Sequence, residues 1–320
     1  DDEQKEIRRS AREMVASKFS LGRTRELSEA GKFDADGWAS VVELGWPGVA
    51  VAESDGGAGL GMVALAILSE ELGYGLAPVP FAGSAMVAEA IAAAGSESQR
   101  ERWLAQLAAG DVVGGVVAAD GLAVNAAADV FVVLHPDRPQ LIERDEAEIE
   151  PLATIDLTRS YARVSGKGKP LPGDVAAGFD RARLVLAAEL TGIARRAMEI
   201  AVAYACEREQ FDRPIGSFQA VAHRCADMFL EIESAEVLTY AAAWTAEAEP
   251  ASLPRAAALA AAKACDAAIQ VTGSAIHVHG GIGFTWEADP HLFYRRAQLS
   301  AHLLGGARLN YPRAARFGTG

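Results

Sequence analysis

The feature that most constrains this chain is its second half, where long helical stretches follow one another with little between them. One runs from about Arg183 to Arg208, and a second from about Phe218 past Trp244 to a stop near Pro250 and Pro254. A third runs from about Ala256 into Ile276, and a shorter one holds Tyr294 to Leu304. Long alanine-rich helices with short connections pack as antiparallel neighbours, so residues 173–320 are expected to form a C-terminal four-helix-type bundle. Ala256-Ala257-Ala258, Ala260-Ala261-Ala262 and Ala267-Ala268 are more small residues than one helix face needs. Small side chains let backbones approach closely, so this stretch suits a helix-helix subunit interface as well as packing within the chain.

Ahead of the bundle the pattern changes. Residues 1–110 read as an N-terminal helical domain. Ile7, Ala11, Met14, Val15 and Phe19 fall at helical spacing with Gly22 as the stop, and Trp38, Val41, Val42 and Leu44 make a stripe ending at Gly45. A helix is expected through Leu65, Leu68 and Leu72, and Ser96-Glu97-Ser98-Gln99 has capping-box spacing before Trp103, Leu104 and Leu107. Residues 111–172 carry short β-type runs at Val112-Val113, Val116-Val117 and 130–134. Turns fall at Asp120-Gly121, His135-Pro136-Asp137 and Gly166-Lys167-Gly168. Such strands are too short for a βαβ crossover. The expected fold is mostly α with a small, reduced middle β domain.

Half of the residues are hydrophobic, enough for a large core and too many for a disordered chain. The net charge of −13 removes any global attraction to nucleic acid or an anionic membrane, and neither partner is expected. The apolar stretches are broken by charge and shorter than a membrane span. The opening Asp1-Asp2-Glu3-Gln4-Lys5-Glu6 is too polar for a signal peptide. Cys206, Cys225 and Cys265 lack disulfide or metal spacing and read as small buried residues in a reducing compartment. A soluble cytoplasmic protein is expected.

No hydrolytic motif stands out. His277 and His279 lie two apart with no carboxylate or Cys nearby to complete a metal site. The loop Ser54-Asp55-Gly56-Gly57-Ala58-Gly59-Leu60-Gly61 lacks the Lys-Ser/Thr and the preceding strand of a phosphate cradle, and reads as a turn between helices. Two other segments are richer than packing requires. Residues 204–219 join two long helices through Pro214 and Gly216 and concentrate Arg208, Gln210, Phe211, Ile215 and Phe218 at the joint. Residues 276–285 carry His277, Gly280 and Gly281. Arg208 belongs either to a charged, solvated helix end or to an anion such as a pyrophosphate. Gly280 and Gly281 would let a backbone or a flat ligand approach within contact distance. Together the two segments could hold the phosphates of a dinucleotide.

These segments resemble the acyl-CoA dehydrogenase family of flavoproteins. The first is similar to the family's Arg-x-x-Phe-Gly-x-x-Ile-x-x-x-Gln joint, with Asp212 in place of Gly. The second is similar to its Gln-x-x-Gly-Gly-x-Gly-Tyr/Phe loop, with His277 in place of Gln. Leu44-Gly45-Trp46-Pro47-Gly48, Glu70-Glu71-Leu72-Gly73 and Asp156-Leu157-Thr158-Arg159 resemble further stretches of the family in order along the chain. The resemblance implies FAD, held in part by Arg208, Gln210, Phe211, Ile215, Phe218, His277, Gly280 and Gly281 across a dimer interface.

The departures carry as much information. Members of the family remove the acyl α-proton with a Glu while flavin N5 takes the β-hydride. At the two usual positions of that Glu this chain has Leu304 and Ala182, neither of which accepts a proton. Segments of the Thr-Glu-Pro and Trp-Ile-Thr-Asn type, which line the flavin within one subunit, are missing. The resemblance therefore implies no catalytic residue and no metal in this chain. It implies instead a subunit of an α2β2 heterotetramer in lipid β-oxidation, such as steroid degradation. A second, catalytic subunit would bind most of the acyl-CoA, and an electron-transfer acceptor would reoxidise the flavin. Two alternatives stay open: a self-sufficient enzyme with an atypical base, Glu189 or Glu209, and a scaffold or binding module without FAD.

Overall fold

The computed structural model describes residues 2–30, 33–135, 138–303 and 305–317. Among them six helices come first: α1 (Asp2–Lys18), α2 (Leu21–Glu29), α3 (Ala35–Glu43), α4 (Gly61–Tyr74), α5 (Phe81–Ala94) and α6 (Glu97–Ala109). Then come β1 (Gly114–Val117), β2 (Leu122–Val124), β3 (Val130–Val133), β4 (Gln140–Glu143), β5 (Ala147–Leu152), β6 (Tyr161–Gly166) and β7 (Lys169–Pro170). The C-terminal part holds α7 (Val175–Glu207), a small hairpin of β8 (Glu209–Gln210) and β9 (Arg213–Pro214), α8 (Gln219–Ala248), α9 (Leu253–His279), α10 (Pro290–Leu303) and α11 (Gly306–Arg316).

Helices α2, α3 and α6 start where Ser20, Asp34 and Ser96 supply side-chain caps. Ser96 accepts from the Gln99 N–H while the Gln99 side chain accepts from the Ser96 N–H, the reciprocal box expected there. Gly22 does not end a helix; it lies in α2, because Ser20 accepts from the Arg23 N–H and starts a new helix. Helix α5 carries no stripe to betray it, being buried along nearly its whole length. The glycine-rich loop is a packing turn, as expected: a Cβ on Gly57 would stand 2.1 Å from the Val51 carbonyl oxygen.

The seven strands form one sheet in the order β5-β6-β2-β1-β3-β4-β7. Its neighbours are antiparallel except β1 and β3, which pair in parallel from Gly114↔Val130 to Val117↔Val133. No helix makes that crossover; β2 lies on the far side of β1 and the chain returns by a loop.

Helix α9 is the axis of the C-terminal part, with α7, α8, α10 and α11 packed around it. Ala257, Ala258, Ala260, Ala261, Ala262, Ala267 and Ala268 are all buried inside this chain. Of the two readings of that stretch, packing within the chain holds and the subunit interface does not: the small residues bring four helices against one. A similar economy joins α4 to α7. A Cβ on Gly73 would meet the Glu189 carbonyl oxygen at 2.3 Å, and one on Gly192 the Glu70 carbonyl oxygen at 1.9 Å, so the two backbones touch. The cysteine expectation holds only in part. Cys265 is buried, its thiol pushed up to about 12 by desolvation, but Cys225 is half-buried and Cys206 exposed. None of the described helices is long and apolar enough to cross a membrane.

Candidate functional site

The two motif segments meet at one end of the bundle. Helices α7 and α9 run in the same direction, so the joint that follows α7 and the glycine loop that follows α9 emerge side by side. Tyr204, in the last turn of α7, stacks on His279, in the last turn of α9, with ring centroids 4.3 Å apart and planes 19° off parallel. His279 is buried and its Nδ1 lies 2.8 Å from the Ala275 carbonyl oxygen; desolvation holds its pKa below the ordinary histidine value. His277, two residues earlier, is exposed. The pair therefore points two ways, and among the described residues no cluster of His, Cys, Asp or Glu could hold a metal. A shallow depression of about 500 Å³ runs from this stack along α7, lined by Arg196, Glu199, Ile200, Ala203, Tyr204, Glu207 and His279.

The joint is built to project. After Arg208 the chain forms the β8–β9 hairpin, whose two turn residues, Phe211 and Asp212, have φ of 56° and 59°. A left-handed pair suits the tight two-residue turn, yet a bulky residue there is an outlier. Phe211 is also 87% exposed, so the chain bears backbone strain to hold an aromatic ring in solvent. Phe218 sits beneath, edge-on to Phe211 at 6.1 Å and under the Arg213 guanidinium at 4.0 Å. Ile215 is half-buried and donates its N–H to the Arg208 carbonyl oxygen at 2.8 Å. Gln210 donates to the Glu209 carbonyl oxygen and is exposed. The Arg208 side chain is exposed and has no hydrogen-bond or ion-pair partner among the described residues.

The glycine loop is equally open. Gly280 has φ +68°, which a side chain would strain, but nothing lies within 4 Å of a Cβ built on it or on Gly281. No contact among the described residues requires glycine at 281. Around it Ile282, Phe284 and Trp286 are exposed. A free guanidinium, a clear glycine surface and exposed rings within one end of the bundle fit a flat, anionic group held against a neighbouring chain. Phe284 stands at the Tyr/Phe position of the loop that the resemblance rests on, whereas the exposed Trp286 escaped the sequence reading, because only its exposure distinguishes it from a core aromatic.

Of the two positions where the resemblance places a catalytic Glu, Ala182 lies in the first part of α7 and is fully buried. Leu304 lies outside the described residues. The same part of α7, through Val175, Ala176, Phe179 and Arg183, lines a cavity of about 540 Å³ together with β1–β2 turn residues, Leu303, Gly305 and residues of α11. Its one carboxylate among the described lining residues is Asp120, 2.9 Å from His302 Nε2. Burial pushes Asp120 up, but bonds from His302 and the Leu122 N–H outweigh this and leave it below the usual carboxylate range.

The candidate base Glu189 is elsewhere and committed. It is 3% exposed, pairs with Arg159, accepts from Arg296 Nη1 at 3.1 Å and receives Ser300 Oγ at 3.4 Å. Arg296 in turn reaches Thr158 Oγ1 at 2.7 Å and Asp156 at 3.2 Å, and Tyr161 donates to Asp156 at 2.7 Å. The Asp156-Leu157-Thr158-Arg159 motif is thus a buried lock between sheet and bundle. Glu209, the other candidate, is exposed on the hairpin.

Residues 1–111 match the family model for the acyl-CoA dehydrogenase N-terminal domain, and residues 174–308 that for the C-terminal domain. The acyl-CoA dehydrogenase IpdE2 of Mycolicibacterium smegmatis is 36% identical, with 88% of this chain and 87% of that one covered. Acyl-CoA dehydrogenase FadE34 of Mycobacterium tuberculosis is 37% identical over 86% of this chain, but over only 41% of its own length. Among solved structures, a steroid ACAD, Tcur3481-Tcur3483, superposes with a TM-score of 0.87 at 29% identity, covering 99% of this chain and 97% of that chain. The ChsE4-ChsE5 complex of Mycobacterium tuberculosis gives 0.85 at 25% identity, covering 98% and 96%.

Proposed function

The chain belongs to the acyl-CoA dehydrogenase family, and from that premise we propose that it is the non-catalytic subunit of a heteromeric acyl-CoA dehydrogenase, completing the FAD site of a partner. The observation that carries this is chemical. The described base position holds a fully buried alanine, the second holds Leu304, and the carboxylates nearby are unsuited. Glu189 is consumed by two arginines, and Asp120 is held more acidic than a general base should be. A second, catalytic subunit supplies the base, the flavin wall and most of the acyl-CoA pocket. The family depends on FAD, which takes the β-hydride when bound and passes its electrons to an electron-transfer acceptor.

This chain's part is to bind and to shield. Arg208 donates charge-assisted hydrogen bonds to the diphosphate, with Gln210 beside it. Phe211, Phe218 and Ile215 cover the cofactor from water, and His277, Gly280 and Gly281 let its adenosine side approach backbone. Exposure supports the assembly. Leu230, Val237 and Trp244 of α8 recur every seven residues and are 62%, 65% and 54% exposed, a stripe suited to another helix. The chain exposes 14037 Å², more than the roughly 13,000 Å² expected of a compact monomer this size. The names of the Tcur3481-Tcur3483 steroid ACAD and of the ChsE4-ChsE5 complex support reading the chain as part of an α2β2 enzyme acting on the CoA thioester of a bulky acyl group such as a steroid side chain.

The test is turnover. The pure chain should not reduce an acceptor with any acyl-CoA, whereas co-expression with its catalytic partner should yield an active, yellow complex. Loss of a general base alone costs about 10²- to 10⁴-fold. Robust turnover by the single chain would overturn the proposal.

A further inference from the structure

The 540 Å³ cavity lined by the first part of α7 is larger than a packing defect and within the range that holds a small molecule. Its walls are mainly apolar: Leu134, Phe179, Leu303 and Leu309, with Ala118 and Val175. Two guanidinium groups, Arg183 and Arg313, break that lining from one side. Both lean on a single carboxylate, Asp180, which is fully buried. Arg183 Nη1 reaches Asp180 Oδ1 at 2.7 Å, and Arg313 Nη2 reaches its two oxygens at 3.0 and 2.9 Å. Arg183 Nε donates to Asn310 Oδ1 at 3.0 Å.

Those bonds leave a surplus. Arg313 is 28% exposed and stacks on Phe317 at 5.3 Å, and its Nη1, like Arg183 Nη2, is accessible and has no hydrogen-bond partner among the described residues. Two positive charges share one negative one, in surroundings dry enough that burial lowers the Arg183 pKa despite Asp180. Accessible guanidinium donors at the edge of an apolar cavity favour an anion there, and an arginine fork matches a carboxylate in geometry and charge. The other polar side chains at the cavity, Asp120 and His302, sit at its exposed mouth and are hydrogen-bonded to each other at 2.9 Å.

We infer that this cavity is a binding site for a free hydrophobic carboxylate, its acid group on Arg183 and Arg313 and its hydrocarbon body, on the order of ten to twenty non-hydrogen atoms, against Leu134, Phe179, Leu303 and Leu309. A ligand there is held, not dehydrogenated. The inference concerns this chain's own cavity and stands whether or not the chain completes a partner's flavin site.

Calorimetry on the full chain, alone and in its co-expressed complex, tests it with adamantane-1-carboxylate and decanoate against the matching alcohols and amines. The acids should bind saturably at one site per chain, at least tenfold tighter than the alcohols, with the amines weaker still. Arg313→Gln, which keeps a donor for Asp180, should reduce acid affinity to that of the alcohol and leave alcohol binding unchanged. Ala176→Trp, at an exposed position on the cavity wall, should abolish binding of both while circular dichroism stays unchanged. Absence of saturable binding, equal affinity for acid and alcohol, retained acid preference in Arg313→Gln, or undiminished binding in Ala176→Trp would each overturn the assignment.

Discussion

Replacing Glu189 by Gln keeps the shape of the buried lock and removes one charge. The lock brings Arg159 and Arg296 together with Glu189 and Asp156, and all four side chains are at most 5% exposed. The balance is already tight, since burial and the neighbouring Arg296 pull the Arg159 guanidinium down to about 10. With Glu189 neutral, two guanidinium groups face one carboxylate with no water to take up the difference. Breaking a buried pair in this way costs about 3–5 kcal/mol. At roughly 2.1 cal/mol/K per residue, a chain this long unfolds with an entropy near 0.7 kcal/mol/K, so the melting midpoint should fall by about 4–7 °C. Scanning calorimetry on wild type, Glu189→Gln and Glu6→Gln measures this, the last being an exposed control that should not move. The double variant Glu189→Leu with Arg159→Met should recover part of the loss, because it removes charges of both signs. A single variant within 1 °C of wild type would refute the reasoning, and so would a double variant worse than the sum of its parts.

Arg208→Ala should lower the flavin retained by the co-expressed complex while leaving this chain's melting midpoint unchanged; unaltered flavin content counts against its role. Phe211→Asn places a residue tolerant of positive φ at the hairpin tip and should stabilise the isolated chain by up to about 1 kcal/mol. The same change should weaken assembly, read by sedimentation of the complex, and a tighter complex would contradict that. Burial holds both His279 and His291 below the ordinary histidine pKa, and His291 is buried with neither ring nitrogen hydrogen-bonded. The unfolded chain then takes up protons first as pH falls. This stability is therefore present above about pH 6.5 and is lost below it, so the midpoint should drop between pH 7.5 and 5.5. His291→Phe should flatten that drop, and an unchanged slope would exclude His291 as its source.

Much of the fold was legible because it rests on local signals. The capping box at Ser96 and Gln99, the long stripes of α7 to α9 and the Pro250 stop are written in adjacent residues. What escaped depends on distance. Helix α5 has no polar face to set a period, and the parallel β1–β3 pairing leaves no trace in either strand. The alanines of α9 look alike whether they face a partner or four helices of their own chain, and only the packing decides. At the site, Arg208, Gly280 and Gly281 stood out as residues richer than local structure needs. The cluster of Asp180, Arg183 and Arg313 did not, because the fold brings α7 and α11 together across 133 residues. Glu189 shows the opposite error: a carboxylate in a family core reads as chemistry until its two arginine partners are seen.

The claim that this chain completes a partner's flavin site, and has none of its own, is tested most directly by stoichiometry. Flavin absorbance against protein mass, on the complex purified after co-expression with the catalytic subunit, gives the number of FAD per chain. Two FAD for four chains, with the two subunits in equal amounts, is the expected result. One FAD for every chain would give this subunit a complete site and contradict the proposal.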